Sequence, residues 1–105
     1  MTYVSALAAL ADPTRRAIVE TLVAAPLPVG RLAQRFPVSR PAISQHLRVL
    51  SDAGLVTADT SGTRRIYRLH PEGWQSLRQY LDRMWDDALH AFAQEAHRQS
   101  ENDTP

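Results

Sequence analysis

Three features of the sequence predict a mainly α-helical fold carrying one small β-hairpin. Apolar residues recur at helical spacing in several separate stretches. Proline, with an aspartate or serine close ahead of it, punctuates the boundaries between them, as at Asp12-Pro13 and Ser39-Arg40-Pro41. One region alone breaks this pattern. Residues 55–59 and 64–69 read as short strands joined by the turn-like Thr60-Ser61-Gly62-Thr63.

The elements follow in order. Tyr3 to Leu10 (YVSALAAL) is a short apolar helix. Asp12 then acts as N-cap with Pro13 at the first helical position, and Ala17, Ile18, Thr21 and Leu22 recur at helical spacing until Ala24-Ala25-Pro26 stops the segment. Pro28 opens a third helix with Val29, Leu32, Ala33 and Phe36 on one face, closed by Pro37. Residues Phe36 to Ser39 are a four-residue turn. The fourth helix starts at the N-cap Ser39, buries Ile43, Leu47 and Leu50, and ends at Gly54 as a left-handed C-cap. After the hairpin, Pro71-Glu72-Gly73 leads into a long last helix whose apolar set is Trp74, Leu77, Leu81, Trp85, Ala88, Leu89 and Phe92. The polar residues 99–105 are expected to be a disordered tail.

Two helices joined by a tight turn, followed directly by a hairpin, form a winged helix-turn-helix. A helical wheel for the segment from Ser39 puts Ile43, Leu47 and Leu50 inward. Pro41, Ser44, Gln45 and Arg48 face outward, with Arg40 and His46 at the flanks. This outer face lacks an acid and carries hydroxyl, amide and guanidinium groups, which read base edges and grip phosphates. In the hairpin, alternation sets Tyr67 and Leu69 on the face toward the helices and Arg64 and Arg68 on the other; Arg65 shares the parity of Tyr67 but lies near the tip, which leaves its direction open. Arg64 and Arg68 are the expected backbone or minor-groove contacts.

The charge distribution agrees. The chain of 105 residues has a formal net charge of only +1. Residues 1–70 hold nine arginines against four acids, a net of +5, and residues 71–105 hold three against seven, a net of −4. A basic body with an acidic final helix fits a polyanion-binding module with a separate assembly segment. Every basic residue among them is Arg, whose planar fork suits phosphates and guanine edges.

The stretches ALADPTRRAIVETL, ISQHLRVLSDAGLV and RRIYRL resemble the ArsR family of winged-helix bacterial repressors, from about Leu7 to Leu69 and in architecture to Ala96. The resemblance implies a homodimer that binds a two-fold operator on double-stranded DNA and represses transcription. It implies DNA contacts at Ser39, Arg40, Ser44, Gln45, His46 and Arg48 and at the Arg64-Arg65 wing. For His46, bracing the turn between helices competes with a phosphate contact.

Many members of that family sense metals, and here the chain departs from them. The run that carries a Cys-x-Cys pair in thiolate sensors reads Leu27-Pro28-Val29-Gly30-Arg31-Leu32, with Pro28 and Gly30 at the two cysteine positions. The chain contains no cysteine at all, so thiolate metal sites, disulfides and cysteine nucleophiles are excluded. The family's second site, on the last helix, has only a loose echo in Asp86, Asp87, His90, Glu95 and His97, whose spacing does not reproduce the motif. Asp87, His90 and His97 are weak metal candidates and no cofactor is expected. There is no glycine-rich phosphate loop, no G-x-S-x-G and no H-E-x-x-H, so an enzyme is not expected.

The last helix displays more apolar surface than a body of about 70 residues can cover, and the first helix needs a neighbour too. A dimer is expected through Tyr3, Leu7 and Leu10 of the first helix and Trp74, Leu77, Leu81, Trp85, Leu89 and Phe92 of the last. The expected organisation is one domain over residues 1–98, with a DNA-binding body at 12–70, dimerisation helices at 1–11 and 73–97, and the tail at 99–105. No apolar run reaches the roughly 18 residues a membrane span needs, and MTYVSALAALADPTRR lacks the basic start and apolar core of a signal peptide, so a cytoplasmic protein is expected. Two other readings remain: a repressor answering a non-thiol metal or organic effector, and a winged-helix module that binds protein instead of DNA.

Overall fold

The computed structural model describes residues 3–102, with the side chains of Tyr3 and Asn102 outside the described residues, as are residues 103–105 of the expected tail. Five helices and three strands follow in the order α1 (Tyr3–Ala11), α2 (Pro13–Ala24), β1 (Leu27–Pro28), α3 (Val29–Ala33), α4 (Arg40–Asp52), β2 (Val56–Ser61), β3 (Arg64–Leu69) and α5 (Pro71–Asn102).

The caps read from sequence are made. The Asp12 carboxylate accepts from the Arg15 backbone N–H at 2.9 Å, and Ser39 Oγ accepts from Ala42 N–H at 3.2 Å. At the other end of α4, Gly54 takes φ 79° and lets Leu55 N–H reach back to the Leu50 carbonyl at 2.9 Å. The core gathers Ile18 and Leu22 of α2, Leu32 of α3, Ile43, Leu47 and Leu50 of α4, and Leu55 and Val56 after it.

Several boundaries differ from expectation. Leu27-Pro28 is an edge strand: Leu27 pairs with Tyr67 and Pro28 with Ile66, giving a three-stranded antiparallel sheet in the order β1-β3-β2. Proline is tolerated there because an edge strand leaves one side of its backbone unpaired. The third helix therefore starts at Val29 and lasts only to Ala33. The hairpin is longer and its turn tighter than expected, since Ser61 pairs with Arg64 and only Gly62-Thr63 lie between. Gly62, at φ 63°, fills the first turn position, where a two-residue hairpin needs positive φ. Residues 99–102, expected to be disordered, continue α5, helped by the His97–Glu101 contact one turn apart at 3.0 Å.

The root of α5 is seated tightly on the end of α4. The Leu55 carbonyl accepts from both His70 N–H at 3.0 Å and Trp74 Nε1–H at 2.9 Å. Gly73 meets Gly54 so closely that a Cβ on it would lie 1.8 Å from the Gly54 oxygen. Leu77 is buried in the same core and Trp74 packs against it. These two residues, expected at a dimer contact, instead anchor α5 to its own body. Beyond Leu81 every described side chain of α5 is exposed, so the helix projects away from the body instead of folding back over it.

Candidate nucleic-acid interface

α4 presents the outward strip read from sequence. Ile43, Leu47 and Leu50 are fully buried, while Arg40, Pro41, Ser44, Gln45 and Arg48 are exposed, as is the cap residue Ser39. One detail differs: exposed Asp52 lies one turn beyond Arg48 and borders the same hollow, so the strip is acid-free only up to its last turn. The strip's groups are a hydroxyl and an amide side by side on one turn and a guanidinium on the next, suited to base edges in a major groove.

The wing completes the surface. Arg65 shares the Tyr67 side of the hairpin, its Cζ 5.6 Å from the ring centroid, which settles its direction toward α4. It borders a hollow with Ser44 and Arg48 of α4, and a second hollow with Arg31, Gln34, Arg40 and Arg64. Strip and second hollow are therefore continuous through Arg65. The second hollow is lined by four guanidiniums and no carboxylate, and none of the four makes an ion pair among the described residues. Unpaired arginines around an open cleft are a seat for phosphate oxygens.

Arg31 and Gln34 were missed by sequence reasoning. Arg31 sits on the short α3 and Gln34 is its C-cap, and only the fold of the wing beside β1 brings them next to Arg64 and Arg65.

Two expected contacts already have partners within the protomer. Arg68 lies on the face of β3 opposite Tyr67, and its Nε donates to Asp59 across the hairpin at 2.7 Å. Its charge is matched within the wing. His46 turns inward, its side chain 22% exposed, with Nδ1 3.5 Å from Arg15 Nη1 and 4.0 Å from Asp12 Oδ2. It braces the helix junction instead of facing outward. The Asp12 carboxyl is held below its usual range, chiefly by the Arg15 backbone N–H it accepts, with the Arg15 and His46 charges adding to this against partial burial.

On α5, Leu81, Met84, Trp85, Leu89 and Phe92 expose large apolar side chains, Trp85 at 65% and Phe92 at 72%. Val4 and Leu7 of α1 are exposed too, whereas Leu10 packs against the protomer's own core. Met84 belongs to this face although the sequence reading left it out. Among the described residues no cluster of three or more metal-ligating side chains forms; His90 lies 3.0 Å from Gln94, and His97 contacts Glu101. No helix among them is long and apolar enough to cross a membrane.

Comparison with known proteins converges on the same architecture. A family model described as a helix-turn-helix domain matches residues 10–58. The chain is 59% identical over 86 residues, 82% of its own length and 80% of the relative's, to the HTH-type transcriptional regulator Rv2034 of Mycobacterium tuberculosis. Among solved structures, an ArsR-like transcriptional regulator from Rhodococcus superposes with a TM-score of 0.76 at 37% identity, covering 90% of this chain and 92% of that one. The homodimeric winged helix-turn-helix DNA-binding domain Mb0332 of Mycobacterium bovis superposes with a TM-score of 0.65 at 27% identity, covering 84% and 82%. With a winged helix-turn-helix body, an outward strip on α4 and these relatives, the chain belongs to the ArsR-type family of winged helix-turn-helix transcriptional regulators.

Proposed function

We propose that this protein acts in the cytoplasm as a homodimeric repressor that binds a two-fold operator and has no enzymatic activity. The observation that carries the reading is the continuity of the α4 strip with the four-arginine cleft, because it joins base-reading groups to a phosphate seat on one surface. Ser44, Gln45 and Arg48 enter the major groove. Ser39, Arg40 and Pro41 lie at the helix start beside the backbone, and Arg31, Gln34, Arg64 and Arg65 hold phosphates flanking it.

The dimer forms through the exposed faces of α5 and α1, with Leu7, Leu81, Met84, Trp85, Leu89 and Phe92 covered by the second copy. A solitary protomer would leave this set in water. Two strips presented by one rigid pair bind cooperatively, because the second contact is made intramolecularly. A dimer seated over a promoter blocks access to it, which is repression.

The test is a gel shift with the DNA upstream of the protein's own gene against random duplex of equal length. Preferential retardation as a dimer–duplex complex is expected. Equal affinity for both duplexes, or none for either, overturns the reading.

A further inference from the structure

The polar cluster where α1, α2 and α4 meet is absorbed by neither the DNA surface nor the dimer face. Arg15, at the start of α2, turns back to α1. Its Nε donates to the Ala9 carbonyl at 2.6 Å, and Nη2 reaches the Ala8 carbonyl at 3.5 Å. These carbonyls belong to the last turn of α1, where no intrahelical N–H remains to meet them and where α1 has no basic residue of its own. The same guanidinium places Nη1 3.5 Å from His46 Nδ1, in the middle of α4. Asp12 closes the cluster, capping α2 through the Arg15 N–H at 2.9 Å and facing His46 Nδ1 at 4.0 Å. Nδ1 can accept from the Arg15 guanidinium, while the Asp12 carboxylate lies near it at 4.0 Å, an electrostatic neighbour and not a hydrogen-bond partner.

We infer that Asp12, Arg15 and His46 form a strap that fixes the recognition helix α4 against α1, and that His46 is a positioning residue for DNA binding, not a DNA contact. The inference rests on the reading of α4 as the helix that enters the groove. Its physical content is geometric. α1 carries part of the exposed apolar face, with Val4 and Leu7 outward and Ala6 and Ala9 buried against the body. A guanidinium that holds the end of α1 with one edge and α4 with another ties the orientation of the reading helix to the element that meets the second copy. Without it, α4 keeps its own seat through Ile43, Leu47 and Leu50, but the contact through the small Ala6 and Ala9 side chains sets the angle of α1 against α4 only loosely.

The experiment uses the full-length protein with His46→Leu, His46→Gln and Arg15→Met. In the DNA-free protein, hydrogen exchange is expected to accelerate severalfold at both the end of α1 and the middle of α4 in His46→Leu and Arg15→Met, with the β2–β3 hairpin unchanged. Binding to the upstream duplex is expected to weaken about tenfold in His46→Leu and to recover in His46→Gln, whose amide oxygen accepts from Arg15. The slope of log affinity against log salt stays as in wild type, because no phosphate contact is lost. A slope shallower by about one in His46→Leu would instead identify a phosphate contact and overturn the inference. Unchanged exchange in α1 would overturn it as well. Should wild type bind no duplex, the DNA reading falls, and the exchange measurement still decides whether the strap exists.

Discussion

The substitution Phe92→Asp probes the proposed dimer face at its most open aromatic. Phe92 is 72% exposed in the protomer. A covered phenylalanine buries about 150 Å², so about 110 Å² per ring is left for a partner. At about 25 cal/mol per Å² that is near 2.7 kcal/mol per ring and near 5.4 kcal/mol for the two rings of a dimer, an upper figure because it takes each ring as wholly covered by the second copy. Each 1.36 kcal/mol is about tenfold, so the dissociation constant should rise about 10³- to 10⁴-fold even before the cost of placing a carboxylate in an apolar contact is added. Sedimentation velocity from sub-micromolar to 100-micromolar protein is the assay. Wild type is expected to sediment as a dimer and Phe92→Asp as a monomer that retains helical circular dichroism; Trp85→Glu should behave alike. A Phe92→Asp variant that remains dimeric across that range would place the assembly surface elsewhere.

The remaining expectations follow from local geometry. Gln45→Ala and Arg48→Ala should narrow the affinity gap between operator and random duplex, whereas Arg64→Ala or Arg31→Ala should weaken both alike, as fluorescence anisotropy would read; uniform loss in the first pair contradicts base reading. Arg68→Ala should leave DNA affinity nearly unchanged, since its guanidinium already pairs with Asp59. Gly73→Ala should lower thermal stability, because a Cβ lying 1.8 Å from the Gly54 oxygen forces α5 off its seat; overpacking of about 1–3 kcal/mol would lower Tm by at least about 4 °C. The depressed carboxyl of Asp12 contributes stability above its ordinary unfolded value of 3.8 and loses it as pH falls through the lower folded value. The Tm advantage of wild type over Asp12→Asn should therefore be present at pH 7 and shrink on acidification below about pH 4; an advantage that grows there would reverse the sign.

Helices α2 and α4 were legible because their boundaries are chemical. Asp12-Pro13, Ser39-Arg40-Pro41 and Gly54 each supply a group that a helix end requires, and the buried positions of α4 follow one clear stripe. Strand β1 was illegible because two residues carry no periodicity, and a proline in them argues for a helix start as readily as for a sheet edge. The wheel placed His46 at the flank of α4 correctly, but no wheel says what the flank meets; the meeting with Arg15 is set by how α2 crosses α4. Arg68 was assigned to the side opposite Tyr67, as found, yet its pairing depends on the register that sets Thr57 opposite it and Asp59 diagonally across. Arg31 and Gln34 became part of the surface only because β1 pins α3 beside the wing.

A nuclease footprint of the wild-type dimer on the duplex upstream of its gene asks directly whether two α4 strips read one straight duplex. Two symmetric protected half-sites, centred about one helical turn apart on the same side, are the expected pattern. Protection of a single half-site, or of two on opposite sides of the helix, would contradict it.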